Sequence, residues 1–101
     1  MIRLIVEFNG NPINSNCLLY FYASWNSSCN VHQDAIKQLE REHNDLLIIK
    51  INTTKYNSMK QKYSIRRIPT YIYIENSEII SKIDGYINQY TLGKWLRENR
   101  S

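Results

Sequence analysis

Apolar residues follow two different spacings along this chain, and each spacing predicts a type of element. Alternating apolar residues in Ile2–Val6 predict a short first strand, which the turn-forming residues 9–12 end. The nearly continuous apolar run Cys17–Ala23 is typical of a central strand that is covered on both faces. Apolar residues at helical spacing then predict a helix over about Ser28–His43. A second β-branched run, Leu46–Ile51, predicts the next strand.

The second half of the chain continues this alternation of helices and strands. A short helix is predicted over Thr54–Tyr63, and the strands Thr70–Ile74 and Glu78–Ile83 form an antiparallel hairpin across a connection of three residues. Asn88 suits the N-cap of a last helix, whose buried stripe consists of Leu92, Trp95 and Leu96. Since the strands around the first long helix require a right-handed crossover, the pattern predicts an α/β domain with a mixed sheet flanked by helices.

Length and composition restrict the class of protein. A chain of 101 residues fits one domain, so we expect residues 1–101 to form a single unit. The chain is 43% apolar and 22% charged, as soluble proteins are, and no apolar run approaches the roughly 20 residues of a membrane span. Arg3 and Glu7 interrupt the apolar N-terminus, which therefore does not resemble a signal peptide. We expect a cytoplasmic protein without membrane contact.

The charged and metal-binding residue types suggest no cofactor. The net charge of +4 is mild, and we interpret the basic residues as scattered along the chain. No known nucleic-acid-binding motif is present, so we expect no nucleic-acid partner. Two cysteines and two histidines are too few for a disulfide scaffold or a structural zinc site. Cys17 and Cys29 lie at opposite ends of the strand and turn that join them, which argues against a disulfide between them.

Three segments, in matching order and spacing, resemble the thioredoxin family over about residues 2–99. Phe21–Cys29 resembles the strand end and active-site turn, where the family's Trp-Cys-Gly-Pro-Cys is replaced by Trp25-Asn26-Ser27-Ser28-Cys29. Tyr63–Thr70 resembles the segment that contains the family's cis-proline, and Asp84–Asn88 resembles the glycine and helix cap that close the fold. The resemblance implies the thioredoxin fold, with the order βαβαββα and a shortened or absent first helix.

The resemblance also identifies departures at the redox motif. In the family the first cysteine attacks a target disulfide and the second resolves the mixed disulfide; the matching positions here are Asn26 and Cys29. A carboxamide is not a nucleophile for this reaction. The family's buried acid corresponds to Tyr20, whereas its lysine neighbour is retained as Lys50. The implied activity is therefore little or no dithiol–disulfide reduction.

Two interpretations of Cys29 remain open. A cysteine in the first helical turn gains thiolate character from the helix dipole, whereas burial disfavours the charged thiolate. Cys29 is thus either the reactive thiol of a monothiol redox protein, which forms an adduct with glutathione or a target, or a small semi-buried apolar residue. Asn26 likewise has a structural alternative, as an N-cap of the helix.

A peptide-binding groove is the other feature that the resemblance implies. If Pro69 is cis, the backbone of Ile68 faces Trp25 and Cys29, and the family pairs this backbone with an extended peptide. Arg67 borders the same groove, where it is either ordinary solvated surface or a partner for peptide or glutathione carboxylates. The main hypothesis is a protein that binds a partner polypeptide through Trp25, Arg67, Ile68 and Pro69. The alternatives are a monothiol redox protein and a structural subunit of a larger assembly.

Overall fold

In the part of the chain that the structure describes, the sheet has five strands, in the order β1-β3-β2-β4-β5. The computed structural model describes residues 5–23, 27–85 and 87–100, and the side chains in these ranges other than those of residues 27–33. The central strand β2 is parallel to β3 and antiparallel to β4, which confirms the predicted mixed sheet with residues 17–23 at its centre. The strands are β1 (Ile5–Glu7), β2 (Cys17–Tyr22), β3 (Leu47–Asn52), β4 (Thr70–Glu75) and β5 (Glu78–Asp84).

Among the described residues, three helices cover the two faces of the sheet: α1 (Ser27–Glu42), α2 (Ser58–Lys62) and α3 (Gln89–Asn99). Because side chains alternate along a strand, neighbouring residues of β2 enter different cores. Leu18 and Tyr20 pack in the core that contains residues of α1 and α3. Leu19 and Phe21 pack in the core on the α2 side. The continuous apolar run of β2 is explained by this burial on both faces.

From β2 onward the elements follow the predicted order βαβαββα, and β1 precedes them without an intervening helix. The family's first helix is therefore absent here, because residues 8–16 contain no helix. Phe8 and Ile13 from this connection pack against the core on the α2 side. The edge of Phe8 meets the ring of Tyr56 with the ring centroids 4.8 Å apart. Side chains of a loop thus cover apolar surface on this face of the sheet.

Two predicted boundaries are wrong for reasons of turn chemistry. The helix predicted over Thr54–Tyr63 is confined to α2, because Asn52 Oδ1 accepts hydrogen bonds from the amides of Thr54 and Lys55 at 3.0 and 3.4 Å. Such a side-chain turn competes with helical hydrogen bonding. The hairpin between β4 and β5 turns on two residues, Asn76 and Ser77, which both have positive φ as a tight hairpin turn requires.

The last helix agrees with its prediction more closely. Asn88 caps α3, since its Oδ1 accepts the amide hydrogen of Thr91 at 2.8 Å. Leu92 and Leu96 are fully buried, and Trp95 is half-buried. Its indole Nε1 donates to Ser81 Oγ at 2.9 Å, which ties α3 to β5. Within the part of the chain that the structure describes, no helix is long and apolar enough to cross a membrane.

Candidate functional site: the segment around Pro69

The connection that enters β4 has its backbone held from two sides. The Ile68–Pro69 peptide bond is cis. The hydroxyl of Thr70, a fully buried residue, donates to the Arg67 carbonyl, and the Gly85 amide donates to the Pro69 carbonyl at 2.9 Å. Hydrogen bonds to the carbonyls of residues 67 and 69 fix the chain on both sides of Ile68. The backbone of this segment is therefore held in one conformation.

Ile68 and Pro69 differ in how far they are buried. Pro69 is buried, while Ile68 is half-buried and packs beside the core on the α2 side. Its apolar side chain thus remains partly accessible next to a fixed backbone. An extended peptide that pairs with such a backbone gains main-chain hydrogen bonds, and side-chain pockets add specificity.

The guanidinium group of Arg67 lies against Gly85. A Cβ atom at position 85 would lie 3.5 Å from both Cζ and Nη2 of Arg67, which is an ordinary van der Waals distance, so the guanidinium packs directly over this residue. Gly85 also has a φ of +85°, which favours glycine independently of the space. Arg67 is exposed, and no carboxylate of the described residues forms an ion pair with it. It places a positive charge beside Ile68 and Pro69.

Tyr20 and Lys50 lie directly opposite each other in the pairing of β2 with β3. Tyr20 is 1% exposed and stacks between Tyr71 and Tyr22, with ring centroids 5.0 and 5.5 Å away. Lys50 Nζ lies 3.6 Å from Glu7 Oε1 and 5.1 Å from the centre of the Tyr22 ring. A stacked aromatic row therefore occupies this part of the core.

Glu7 is a member of this cluster that sequence reasoning missed. Its two carboxylate oxygens accept the hydroxyl proton of Tyr22 at 3.0 and 2.9 Å. The register places Glu7 opposite Lys50 on the neighbouring strand, so strand pairing was the information that would have found it. Among the described residues the carboxylate next to Lys50 thus belongs to β1, at the edge of the sheet, and not to β2.

The sequence comparisons agree with this architecture. The family model described as Thioredoxin matches residues 7–98. The chain belongs to the thioredoxin family. It is 29% identical over 96 residues to the thioredoxin of Buchnera aphidicola subsp. Acyrthosiphon pisum, a match that covers 92% of this chain and 89% of that protein. Glutaredoxin 3 of Danio rerio is 27% identical over 79 residues, which cover 78% of this chain and 24% of that protein. This thioredoxin-family chain thus spans about a quarter of that relative's length.

Solved structures show the same fold. The crystal structure of thioredoxin NaTrxh from Nicotiana alata superimposes with a TM-score of 0.85 at 16% identity, covering 97% of this chain and 94% of that one. A mitochondrial thioredoxin 3 from Saccharomyces cerevisiae, in its oxidized form, gives a TM-score of 0.77 at 22% identity. At these identities the likeness concerns the thioredoxin fold.

The two cysteines of this thioredoxin-family chain lie in different elements. Cys17 begins β2, is a free thiol and is fully buried, and desolvation raises the pKa of its thiol to about 11. It is therefore a poor nucleophile at neutral pH. Residue Cys29 lies near the start of α1, and its side chain is outside the described residues. Trp25 and Asn26, the other predicted members of the site, also lie outside the described residues.

The basic residues are not scattered, contrary to the sequence-based interpretation. Residues 54–69 contain no acidic residue, whereas the remainder of the chain has eight basic and nine acidic side chains. The positive net charge therefore originates in the turn before α2, in α2 itself and in the connection that leads into Pro69. The grouping is present in the sequence itself, but a net charge over the whole chain does not show it. The five cations of this basic segment are Lys55, Lys60, Lys62, Arg66 and Arg67.

Proposed function

We propose that this thioredoxin-family protein binds an extended stretch of a partner polypeptide along Ile68 and Pro69, with little or no dithiol–disulfide reductase activity. One observation carries the proposal: the backbone on both sides of Ile68 is held by hydrogen bonds from Thr70 and Gly85, while the apolar side chain of Ile68 stays partly accessible. A rigid backbone segment of this kind suits main-chain pairing with an extended peptide. Binding of this type does not need a second thiol.

The chemistry of thiol–disulfide exchange supports the second half of the proposal. Reduction of a target disulfide requires one thiolate that forms a mixed disulfide and a second thiolate that displaces the reduced target. The family motif supplies these thiols at the positions of Asn26 and Cys29, and a carboxamide performs neither step. Cys17 does not replace the missing thiol, because it is fully buried and its pKa is raised to about 11.

The reductase part is tested by an insulin disulfide-reduction assay with a dithiol thioredoxin as the positive control. We expect the wild-type protein to remain near the uncatalysed rate. Asn26→Cys restores the spacing of the family motif, so this variant should gain a measurable fraction of the control's rate. Turnover of the wild-type protein near that of the control would overturn the proposal.

The binding part is tested by selecting peptides from a displayed random library on the wild-type protein. Ile68→Glu places a charge on the groove and should abolish capture of the selected peptides, whereas Cys29→Ser should leave capture nearly unchanged. Circular dichroism and thermal unfolding of both variants separate loss of binding from loss of folding. If Cys29→Ser alone abolishes capture while the fold stays intact, a monothiol function replaces the present proposal, in which the Cys29 thiolate attacks a target disulfide and releases one target thiol, and glutathione then resolves the mixed disulfide.

A further inference from the structure

The charge of the basic segment has no counterpart within the described part of the protein. The three ion pairs found there join Lys50 to Glu7, Arg97 to Glu42 and Arg100 to Asp45, and none of them involves residues 54–69. Five like charges on a short helix and the adjoining connection repel one another. Such an arrangement lowers stability unless another molecule supplies the negative charge.

Lys82 of β5 places a further cation next to the basic segment. Lys82 Nζ donates to the carbonyls of Ser64 at 2.8 Å and Tyr63 at 3.2 Å, immediately after the C-terminal end of α2. The ammonium group is thus directed to the same connection that carries Arg66 and Arg67. Two of the five cations of the basic segment also lie close to tyrosine rings: Lys55 Nζ is 5.4 Å from the centre of Tyr56, and Lys62 Nζ is 5.6 Å from that of Tyr63.

Arg67 connects this charge to the candidate groove. Its guanidinium is placed over Gly85, and Gly85 donates its amide to the Pro69 carbonyl. The Arg67 carbonyl is fixed by the buried Thr70 hydroxyl. The guanidinium is planar and already packs against Gly85, so it loses less side-chain entropy on binding than an arginine without such a contact, and its fork geometry suits a carboxylate.

We propose that the groove selects acidic polypeptides: Arg67 pairs with an Asp or Glu side chain of a partner segment that lies along Ile68 and Pro69, and the other cations of the basic segment, with Lys82, attract the acidic residues that flank it. This inference rests on the proposed binding function and adds the chemical class of the partner. A polypeptide is favoured over other polyanions, because the cations adjoin a fixed backbone edge with a half-buried isoleucine, which phosphate groups do not use.

The experiment repeats the library selection and reads the composition of the peptides whose capture depends on Ile68. We expect Asp and Glu to be enriched over the starting library, and we expect Arg67→Gln to remove the enrichment. For a synthetic copy of the most enriched peptide, Arg67→Gln should weaken binding about five- to tenfold, as loss of one well-placed charge-assisted contact does. Replacement of the peptide's acidic residues by amides should produce a loss of similar size.

Two variants and two other probes complete the design. Arg67→Lys keeps the charge without the fork and should lose less affinity than Arg67→Gln. Lys94→Gln removes an exposed charge on α3, away from the basic segment, and should leave the affinity unchanged. Single-stranded DNA and vesicles of anionic phospholipid serve as alternative polyanions. Tighter, Ile68-independent binding of either probe would overturn the proposal.

The failures of the two proposals are distinguishable. If Ile68-dependent peptides are recovered without acidic enrichment, or if Arg67→Gln leaves the affinity for the enriched peptide unchanged, the acidic preference is wrong and the peptide-binding function stands. If no captured peptide depends on Ile68, the peptide-binding function itself is wrong.

Discussion

The basic segment and the C-terminal end of α3 both carry dense charge, but they differ in how the charge is compensated. At the end of α3, Arg100 donates from Nη2 to Asp45 Oδ2 at 2.9 Å and from Nη1 to Asp45 Oδ1 at 3.2 Å. The same Nη1 lies 2.7 Å from Nδ1 of His43. One turn earlier, Arg97 pairs with Glu42 at 3.4 Å. In the basic segment, within the described residues, no cation has an acidic partner.

The charges at the end of α3 form contacts within the protein and stabilise the fold. Those of the basic segment have no acidic partner among the described residues and are accessible to other molecules. The ion pairs of Arg97 and Arg100, and the contact of Arg100 with His43, reach residues at the end of α1 or in the loop after it, so they attach α3 to α1. An exposed ion pair contributes at most about 1 kcal/mol, and several pairs in one network contribute more than isolated ones. Unpaired like charges lower stability instead. Unpaired cations beside the segment around Pro69 therefore contribute nothing favourable to folding, which is consistent with the proposed recognition of an acidic partner.

The largest effect that we expect concerns two glycines, one beside Arg67 of the basic segment and one beside Arg97 of α3. Gly85→Ala should lower the free energy of unfolding by about 1–2 kcal/mol, because a φ of +85° is unfavourable for alanine. Gly93 lies in α3, and an added Cβ would meet only the flexible end of Arg97 closely, at 3.2 Å from Nη1. Gly93→Ala should therefore be neutral or stabilising by up to about 1 kcal/mol. Chemical denaturation of both variants measures the contrast, and equal losses would contradict it.

The next effect compares two arginines. Arg100→Gln should lower the free energy of unfolding by about 1 kcal/mol, since Asp45 loses a two-pronged partner and His43 loses its donor. Arg67→Gln should change it by less than about 0.5 kcal/mol, because Arg67 is exposed and has no ion pair. The affinity for acidic peptides should show the opposite order: Arg67→Gln should weaken it, and Arg100→Gln should leave it nearly unchanged. A stability loss for Arg67→Gln as large as that for Arg100→Gln would show that Arg67 is part of the fold.

The sheet could be predicted from the sequence because burial leaves a direct pattern. The run of β2 is apolar on both faces, since α1 and α3 cover one face and α2 and the loop residues Phe8 and Ile13 cover the other. The N-cap of α3 was likewise found, because the side chain of Asn88 bonds to an amide only three residues away. The start of α2 was missed, because the Asn52 side chain diverts the next amides into a turn.

The site was only partly predictable, because its contacts depend on the tertiary fold. Arg67 is identified beside Pro69 by sequence, but its position over Gly85 requires the end of β5 to reach the same place. The contact of Glu7 with Lys50 and Tyr22 depends in the same way on the register of β1, β3 and β2. The basic segment was overlooked because charge was counted over the whole chain and not by element.

We expect the pH dependence of stability to arise at the C-terminal end of α3, where the charges are paired within the protein. Burial, and then the charge of Arg100, lower the pKa of His43 below its usual value, while Glu42 and Asp45 oppose this shift and Arg97 adds to it. Arginine only donates, so Nδ1 of a neutral ring accepts, and the buried Nε2 has no hydrogen-bond partner among the described residues. Because the unfolded state binds the proton more tightly, this contribution is complete above the ordinary histidine pKa and is lost as the pH falls through the lowered one.

This dependence is measured by urea denaturation at pH values between about 5 and 8. We expect stability to fall towards the acidic end, and we expect His43→Gln to reduce that slope. Asp45 does not produce a slope in this window, because the hydrogen bond from Arg100 lowers its pKa and its loss of charge occurs at more acidic pH. An unchanged slope in His43→Gln would mean that other groups titrate on folding.

The smallest effect is the most direct test of the comparison, because it pairs two exposed arginines that differ in their surroundings. Arg97→Gln removes one member of the ion pair with Glu42, in which both side chains are well exposed, and should cost about 0.3 kcal/mol at low salt. Arg66→Gln removes one of five neighbouring like charges and should stabilise the protein by a similar amount. Salt screens both interactions, so at about 0.5 M NaCl the two variants should approach the wild-type stability from opposite sides. A loss of stability in Arg66→Gln at low salt would mean that the basic segment is compensated within the protein, and the contrast between the two regions would then be wrong.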